Sequence, residues 1–143
     1  MKILGIDMGE RRIGLALSDP LGYTAQGLNT VQIKNPEDIC DKLMDVIKEK
    51  KVELLVFGLP KNMNGTLGPQ AKKVQEYADK LKQLSGLPVD FEDERLSTVS
   101  AEQVLLMADQ SRAKRKKAID RMAAVIILQS YLDRNRNQLK GLL

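Results

Sequence analysis

A short apolar strand that ends in an acidic residue is the feature that most constrains this chain. Ile3 to Ile6 form an apolar run of the length typical of a strand buried on both faces. Asp7 follows at once, at the expected rim of a sheet, where a charge is costly unless a cation or hydrogen-bond donors meet it. Gly9 then permits a tight turn or the close approach of a ligand. Taken alone, the pattern also fits an Asp in an ordinary hairpin turn.

The composition restricts the possible chemistry. The chain of 143 residues has no histidine and one cysteine, Cys40. These counts exclude Ser-His triads, histidine general bases, His-ligated zinc and Cys-rich metal sites. Any metal must therefore be held by oxygen ligands, which favours magnesium or manganese. The formal net charge of +4 indicates an anionic partner without identifying one.

The chain is predicted to be a single cytoplasmic domain, residues 1–143, with no membrane attachment. No apolar run approaches the roughly 20 residues of a membrane span. We identify no signal peptide, and a lone cysteine cannot form an internal disulfide, so a reducing compartment is expected. Residues after about 135 are expected to be frayed.

The order of elements predicts an α/β fold. Strands are predicted from Ile3, from Leu15 to Ser18 and from Leu28 to Ile33, and their short spacing favours an antiparallel meander. The later segments are a helix that begins at Asn35-Pro36, a strand Leu54 to Phe57, a helix with apolar positions from Ala71 to Leu84, a strand Val89 to Phe91, a helix Thr98 to Ala108, a basic stretch Asp109 to Lys117, and a last helix with the buried stripe Ile119, Met122, Ala123, Ile126, Ile127 and Tyr131. We predict a mixed five-stranded sheet, its first three strands antiparallel, with helices on both faces.

Three acidic residues are candidates for one site. Asp7 ends the first strand, Glu94 follows the last strand, and Asp120 is predicted in the first turn of the last helix, beside Ile119 of the buried stripe. If they converge, their mutual repulsion requires divalent cations. Taken singly, Glu94 also fits a surface pair with Arg95, and Asp120 an ordinary acid at a helix start. Strand alternation does not decide which member of the Glu92 to Glu94 run faces the site.

Four segments carry a resemblance to a known family. They are, in chain order, Gly5-Ile-Asp7-Met-Gly9-Glu-Arg-Arg12-Ile-Gly14, Phe57-Gly58-Leu-Pro60 with Gly65, Asp93-Glu94-Arg95-Leu-Ser-Thr98, and Asp120-Arg-Met-Ala-Ala124-Val-Ile-Ile-Leu. The chain resembles the YqgF family, also called RuvX, of bacterial nucleases with a ribonuclease H-like fold that are related to RuvC. The resemblance covers nearly the whole chain, and no motif is missing.

The resemblance implies a metal-dependent phosphodiester hydrolase. It assigns the catalytic and metal-binding triad to Asp7, Glu94 and Asp120, with Gly9, Gly58 and Gly65 as turn residues. Such carboxylates hold two divalent ions, Mg²⁺ or Mn²⁺, about 3.5–4 Å apart. As a hypothesis, Asp7 bridges the ions, while Glu94 and Asp120 each complete one shell. Family knowledge favours processing of the 5′ end of the 16S ribosomal RNA precursor, with ribosomal particles as further partners.

Basic residues lie beside each part of the expected site. They are Arg11 and Arg12 in the first turn, Lys61 after the fourth strand, Arg95 beside Glu94, and the cluster Lys114, Arg115, Lys116 and Lys117. A charge run is usually a solvated face, but its place before Asp120 favours contact with the phosphate backbone for some members. Scarce aromatic residues argue against a base-stacking platform, so recognition by shape and backbone is expected.

Three other functions remain open from the sequence. The first is resolution of four-way DNA junctions, which requires a two-fold dimer, so both a monomer and a homodimer remain open. The second is a ribosome biogenesis factor that binds RNA without catalysis. The third is an actin-like ATPase or sugar kinase, because an Asp-x-Gly turn also follows the first strand of those proteins. The chain has length for only one of their two lobes and lacks a glycine-rich adenosine motif.

Overall fold

The computed structural model describes residues 1–60, 65–93 and 112–135, and for residues 112–121 it describes the backbone only. The strands are β1 (Ile3–Met8), β2 (Arg12–Ser18), β3 (Ala25–Gly27), β4 (Val31–Gln32), β5 (Leu54–Leu59) and β6 (Val89–Asp93). The helices are α1 (Ile39–Lys50), entered through a 3₁₀ turn at Pro36–Asp38, α2 (Pro69–Ser85) and α3 (Arg112–Arg134). The predicted helix from Thr98 to Ala108 and the tail beyond residue 135 lie outside the described residues.

The strands form one mixed sheet in the order β3-β2-β1-β5-β6, with β4 also paired to β2. β1 is antiparallel to β2 and parallel to β5, and β5 is parallel to β6. The β1–β2 connection is a short turn, whereas the parallel pairs are joined through the helices α1 and α2, as parallel strands require. This arrangement confirms the predicted mixed sheet with an antiparallel beginning.

The predicted strand from Leu28 to Ile33 is confirmed only at Val31–Gln32, which form β4, and a separate strand, β3, precedes it at Ala25–Gly27. Both short strands pair with β2, so the sheet has six strands and not five. Between the pair Ala16–Gly27 and the pair Ile13–Val31, β2 advances three residues while its partner advances four. One extra residue on the partner is the signature of a β-bulge, which interrupts the ladder and bends the edge.

Helices cover both faces of the sheet, as predicted. Alternate residues of β1 divide between the two apolar clusters: Leu4, Ile6 and Met8 pack with α1 and α2. Ile3 packs with the buried residues of α3 on the other face. Since alternate residues of a strand share a face, Gly5 and Asp7 lie on the α3 side of β1. The face that carries Asp7 is therefore the face that α3 covers.

The start of α3 differs from the prediction. The helix begins at Arg112, so the basic residues from Arg112 to Lys117 belong to it, and Asp120 is its ninth residue and not part of its first turn. Lys and Arg are good helix formers, and the segment extends the helix without any apolar stripe. The buried residues of α3 among those described are Ala123, Ala124, Ile127, Leu128, Tyr131 and Leu132, whereas Met122 and Ile126 are only half-buried.

Local signals fix the ends of α1 and α2. Pro36 and Pro69 occupy first-turn positions of their helices, where a missing N–H costs nothing. Lys51 ends α1 in the left-handed region at φ 56°, and Gly86 ends α2 at φ 72°. Within the described ranges, no helix has both the length and the apolar character that crossing a bilayer demands.

Candidate active site

Asp7 stands between two glycines on the α3 side of the sheet. It is the fifth residue of β1 and is paired with Gly14 of β2. On its other side, Ile6 pairs with Phe57, so the next residue of β5, Gly58, is the neighbour of Asp7. Side chains of paired residues share a face, so no side chain from either adjacent strand crowds the Asp7 carboxylate. The strands leave room beside this one acidic group.

The Asp7 carboxylate is half-buried and has no partner among the described residues. No hydrogen bond or ion pair joins it to any group in those ranges. Removing a carboxylate from water without such compensation is costly, and buried charges in proteins are normally paired or coordinate a metal. The donor chemistry fits a hard divalent cation, because oxygen is the ligand that Mg²⁺ and Mn²⁺ prefer.

An open cleft of about 520 Å³ lies beside Asp7, and most of its lining is polar. We call it the Asp7 cleft; its lining residues are Asp7, Gly9, Glu10, Arg11, Arg12, Gly14 and Thr30. Both predicted arginines, Arg11 and Arg12, are exposed there. Guanidinium groups bind phosphate through paired N–H donors, so the cleft combines a carboxylate with two groups suited to a polyanion. Sequence reasoning missed Thr30, which the bulge between β3 and β4 brings to the rim.

The turn below the cleft requires glycine at position 9. The Gly9 N–H donates a hydrogen bond to the Arg12 carbonyl oxygen at 2.9 Å. A Cβ added at Gly9 would lie 2.6 Å from that same oxygen, which no side chain tolerates. Gly65 has φ 85° and open space around it, as in a turn. Gly58, by contrast, lies inside β5, where it leaves space beside Asp7.

α3 lies directly on β1. A Cβ at Gly5 would lie 2.8 Å from the Leu128 Cβ and 3.3 Å from the Ala124 carbonyl oxygen, so only glycine permits this approach. Along β3, which runs parallel to β1, the Ala25 N–H donates to Gln129 Oε1 at 3.0 Å.

Two residues further along β3, a Cβ at Gly27 would lie 3.3 Å from Val125 Cγ2. The contacts on α3 thus move from Gln129 back to Val125 as β3 advances from Ala25 to Gly27. Along β6, which is also parallel to β1, the contacts move forward on the helix, from Tyr131 at Asp90 to Arg134 at Glu92, so α3 crosses the sheet obliquely.

Two polar contacts join the C-terminal end of α3 to β6, and sequence reasoning missed both. The Tyr131 hydroxyl donates to Asp90 Oδ2 at 2.8 Å, and Arg134 Nη2 donates to Glu92 Oε2 in an ion pair. Glu92 is 3% exposed, and its burial raises its pKa, an effect that the nearby Arg134 guanidinium opposes. Burial also raises the pKa of Tyr131, as does its bond to Asp90. Glu92, one of three acids in its run, is thus already paired.

The other predicted site residues are described in part or not at all. Glu94, Lys61 and Arg95 lie outside the described residues. Asp120, Lys114, Arg115, Lys116 and Lys117 are described only as backbone positions of α3. Across the described ranges, no three acidic or cysteine side chains lie close enough to hold a metal ion. Asp7 is thus the one member of the predicted triad whose side chain the structure describes.

One family model and many relatives match nearly the whole chain. The model of the RuvX family, described as Holliday junction resolvase, matches residues 1–134. A relative from Clostridium kluyveri, named "Putative pre-16S rRNA nuclease", is 53% identical over 134 residues, which are 94% of this chain and 98% of the relative. A relative of the same name from Streptococcus sanguinis is 52% identical over 138 residues, with 94% of this chain and 99% of the relative covered.

Solved structures of more distant proteins share the fold. RuvC of Thermus thermophilus in complex with a Holliday junction substrate matches with a TM-score of 0.59 and 18% identity, covering 94% of this chain and 95% of that one. The fowlpox virus Holliday junction resolvase matches with a TM-score of 0.57 and 13% identity, covering 94% and 99%. At such identities the likeness shows the fold alone, and it confirms the predicted ribonuclease H-like fold.

The four motifs, the fold and the relatives agree. The family model extends over the motifs around Asp7, Gly58, Glu94 and Asp120, and relatives about half identical to this chain are matched over almost their entire length. The chain belongs to the RuvX family.

Proposed function

We propose that this protein is a divalent-metal-dependent nuclease that hydrolyses phosphodiester bonds in the precursor of 16S ribosomal RNA. One observation carries the proposal: the half-buried Asp7 carboxylate, without a partner among the described residues, faces an open cleft that also contains Arg11 and Arg12. The substrate is inferred from relatives that are about half identical and bear that name. A cytoplasmic location follows from this substrate.

The geometry of α3 supports a site shared by Asp7 and Asp120. Asp7 lies two positions after Gly5 on β1, a rise of about 6.6 Å. Asp120 lies four positions before Ala124, which contacts Gly5, a rise of about 6 Å along α3. The contacts with β3, which pass from Gln129 at Ala25 to Val125 at Gly27, favour an arrangement in which both steps lead to the same edge of the sheet. Glu94 is the residue after Asp93, which ends β6, a strand parallel to β5.

The residues of the cleft have separable roles in this proposal. Asp7, Glu94 and Asp120 would hold the Mg²⁺ or Mn²⁺ ions, which when bound make a water molecule nucleophilic and stabilise the leaving oxygen. Arg11 and Arg12 bind the phosphates on either side of the bond that is cleaved. Gly14 and Gly58 leave the carboxylate of Asp7 accessible. Within the described ranges and the whole sequence alike, no histidine is available as a general base.

The substrate is tested by offering the purified protein two nucleic acids. We expect cleavage of a 5′-extended 16S precursor in Mn²⁺ or Mg²⁺, and none in a chelator. A four-way DNA junction is the second substrate, because the family description names that activity. Cleavage of the junction in preference to the precursor would overturn the substrate assignment. Tight binding of the precursor with no cleavage under any metal would replace the nuclease with a binding factor.

The basic cluster gives a separate prediction about affinity. Replacing Lys114, Arg115, Lys116 and Lys117 together by Gln is expected to reduce the slope of log K against log salt by about two, and not by four. Successive helix positions are about 100° apart, so roughly half of four neighbours can follow one phosphate backbone.

The matched control removes the same charge from the opposite edge of the sheet. It replaces Lys48, Lys50, Lys80 and Lys82, which lie at the C-terminal ends of α1 and α2, by Gln. We expect its salt slope to stay at the wild-type value. Fluorescence anisotropy measures both slopes between about 50 and 300 mM salt, on the order of the range in which such contacts are lost. If the α3 replacements also leave the slope unchanged, the basic cluster does not contact the nucleic acid.

A further inference from the structure

The contacts between α3 and β6 form a unit that the proposed reaction does not use. The ion pair between Arg134 and Glu92 and the hydrogen bond between Tyr131 and Asp90 lie one helical turn apart on α3. On β6 they come from alternate residues of one face. We call these four residues the β6–α3 clasp. It joins the strand that leads into Glu94 to the helix that carries Asp120.

Burying the charged Glu92 in the clasp costs free energy, because the carboxylate is removed from water. Glu92 is 3% exposed, and it is the one buried residue with a charged side chain among those described. An apolar residue at that position would avoid the desolvation of a charge, and replacing a buried ion pair by apolar residues is often neutral or stabilising. Arg134, which is 59% exposed at its side chain, gains little apolar burial in return. The pair is therefore better explained by the geometry it imposes than by the stability it adds.

The clasp holds one end of α3, and Asp120 lies on the other side of the point where the helix contacts the sheet. The closest approach of the helix to the sheet is at Gly5, which contacts Ala124 and Leu128. Arg134 lies six residues after Leu128, about 9 Å along the axis, and Asp120 lies four residues before Ala124, about 6 Å in the other direction. A movement of the Arg134 end about this contact is thus transmitted to Asp120 with opposite sign and a comparable size.

We propose that Glu92 and Arg134 are positioning residues whose ion pair sets the tilt of α3 over the sheet and thereby the place of Asp120 relative to Asp7. This inference rests on the proposed function for its catalytic consequence. Tyr131 and Asp90 assist by fixing the helix one turn earlier. Because a displacement of about 1 Å in a reacting constellation can cost on the order of 100-fold in rate, a small change of tilt has a large effect.

The first test measures the tilt itself. In a Cys40→Ser background, spin labels are attached at position 113 of α3 and position 82 of α2. Double electron–electron resonance then measures the distance between the two helices. We expect a narrow distribution for the wild type, a broader or shifted one for Arg134→Met, and recovery of most of the narrow component with Arg134→Lys, which keeps the charge. Identical distributions for the wild type and Arg134→Met would overturn the inference, whatever the catalytic result.

The second test separates positioning from stability. The double variant Glu92→Leu, Arg134→Met replaces the pair by apolar side chains, and Leu132→Ala opens a cavity at the same end of α3 without touching the clasp. We expect kcat to fall about 10- to 100-fold in Arg134→Met and in the double variant, with KM for the nucleic acid unchanged and a higher Mn²⁺ midpoint. Leu132→Ala, although less stable, is expected to retain wild-type kcat per folded molecule.

The outcomes distinguish the two proposals. Restoration of kcat by the double variant, or an equal loss in Leu132→Ala, would show that the clasp acts through stability alone and would overturn the positioning role. A wild type that cleaves neither substrate would overturn the proposed function, while the distance distributions would still decide whether the clasp holds the helix.

Discussion

Asp7→Asn is expected to lose metal-dependent cleavage by at least about 10³-fold, without loss of the fold. Removing one member of a cooperating catalytic set costs nearly as much as removing all of it, and Asn cannot supply the negative charge that a hard cation requires. Because Asn has the same shape and removes a half-buried charge without a partner among the described residues, the free energy of unfolding should stay equal or rise by about 1 kcal/mol. Single-turnover cleavage and urea unfolding measure the two quantities.

The same variant distinguishes loss of metal from loss of substrate. A ligand that binds only the folded state stabilises it, by about 2.7 kcal/mol at 100 times its Kd. We expect Mn²⁺ to raise the melting temperature of the wild type and of Asp45→Asn, an exposed acid on α1 that serves as the matched control. Asp7→Asn should show no such rise, yet bind the RNA precursor with wild-type affinity in a chelator. Full cleavage by Asp7→Asn would refute the assignment of the site.

Local signals in the sequence predict much of the fold. The apolar run from Ile3 places β1, and Asn35-Pro36 places the start of the first helix, because both are decided by residues adjacent in the chain. The third strand was predicted as one piece because nothing local marks the bulge. Its break arises from the different registers in which Ala25–Gly27 and Val31–Gln32 pair with β2, a tertiary property.

The last helix shows the limit of periodicity. Its apolar stripe starts near Ile119, so the sequence predicts a first turn there, preceded by a basic stretch that leads into the helix. Those residues are good helix formers without an apolar face, and the helix continues through them to Arg112. Asp120 thereby becomes a residue within the helix, where the dipole at a helix start does not explain its presence.

The sequence predicts those site residues that stand out from their own local context, and not the contacts between distant residues. Asp7 stands out because a charge follows a buried strand. The pair between Glu92 and Arg134 cannot be recognised in this way, because the two residues are 42 positions apart and neither has a distinctive neighbour. Strand alternation does not decide among Glu92, Asp93 and Glu94, and the structure adds one distinction, because Glu92 is already paired with Arg134. The assignment of Glu94 and Asp120 to the metal site stays a prediction.

Gly5→Ala is expected to reduce the free energy of unfolding by about 1–3 kcal/mol, the usual cost of overpacking. The new Cβ would lie 2.8 Å from the Leu128 Cβ and 3.3 Å from the Ala124 carbonyl oxygen. Neither atom can move by rotation of a side chain, so α3 must shift away from β1 and take Asp120 with it. Cleavage should therefore fall as well, even at temperatures where the variant is fully folded.

Gly27→Ala is the matched control, because Gly27 also lies in the sheet beneath α3. There the nearest atom to the added Cβ is Val125 Cγ2 at 3.3 Å, the end of a side chain that can adjust. Alanine at a compatible position also restricts the unfolded chain, which contributes about 0.4–1 kcal/mol of stability. We expect Gly27→Ala to unfold within about 0.5 kcal/mol of the wild type in urea, at an unchanged m-value. Equal losses in the two variants would show that the approach of α3 to β1 at Gly5 is not the contact that sets the position of the helix.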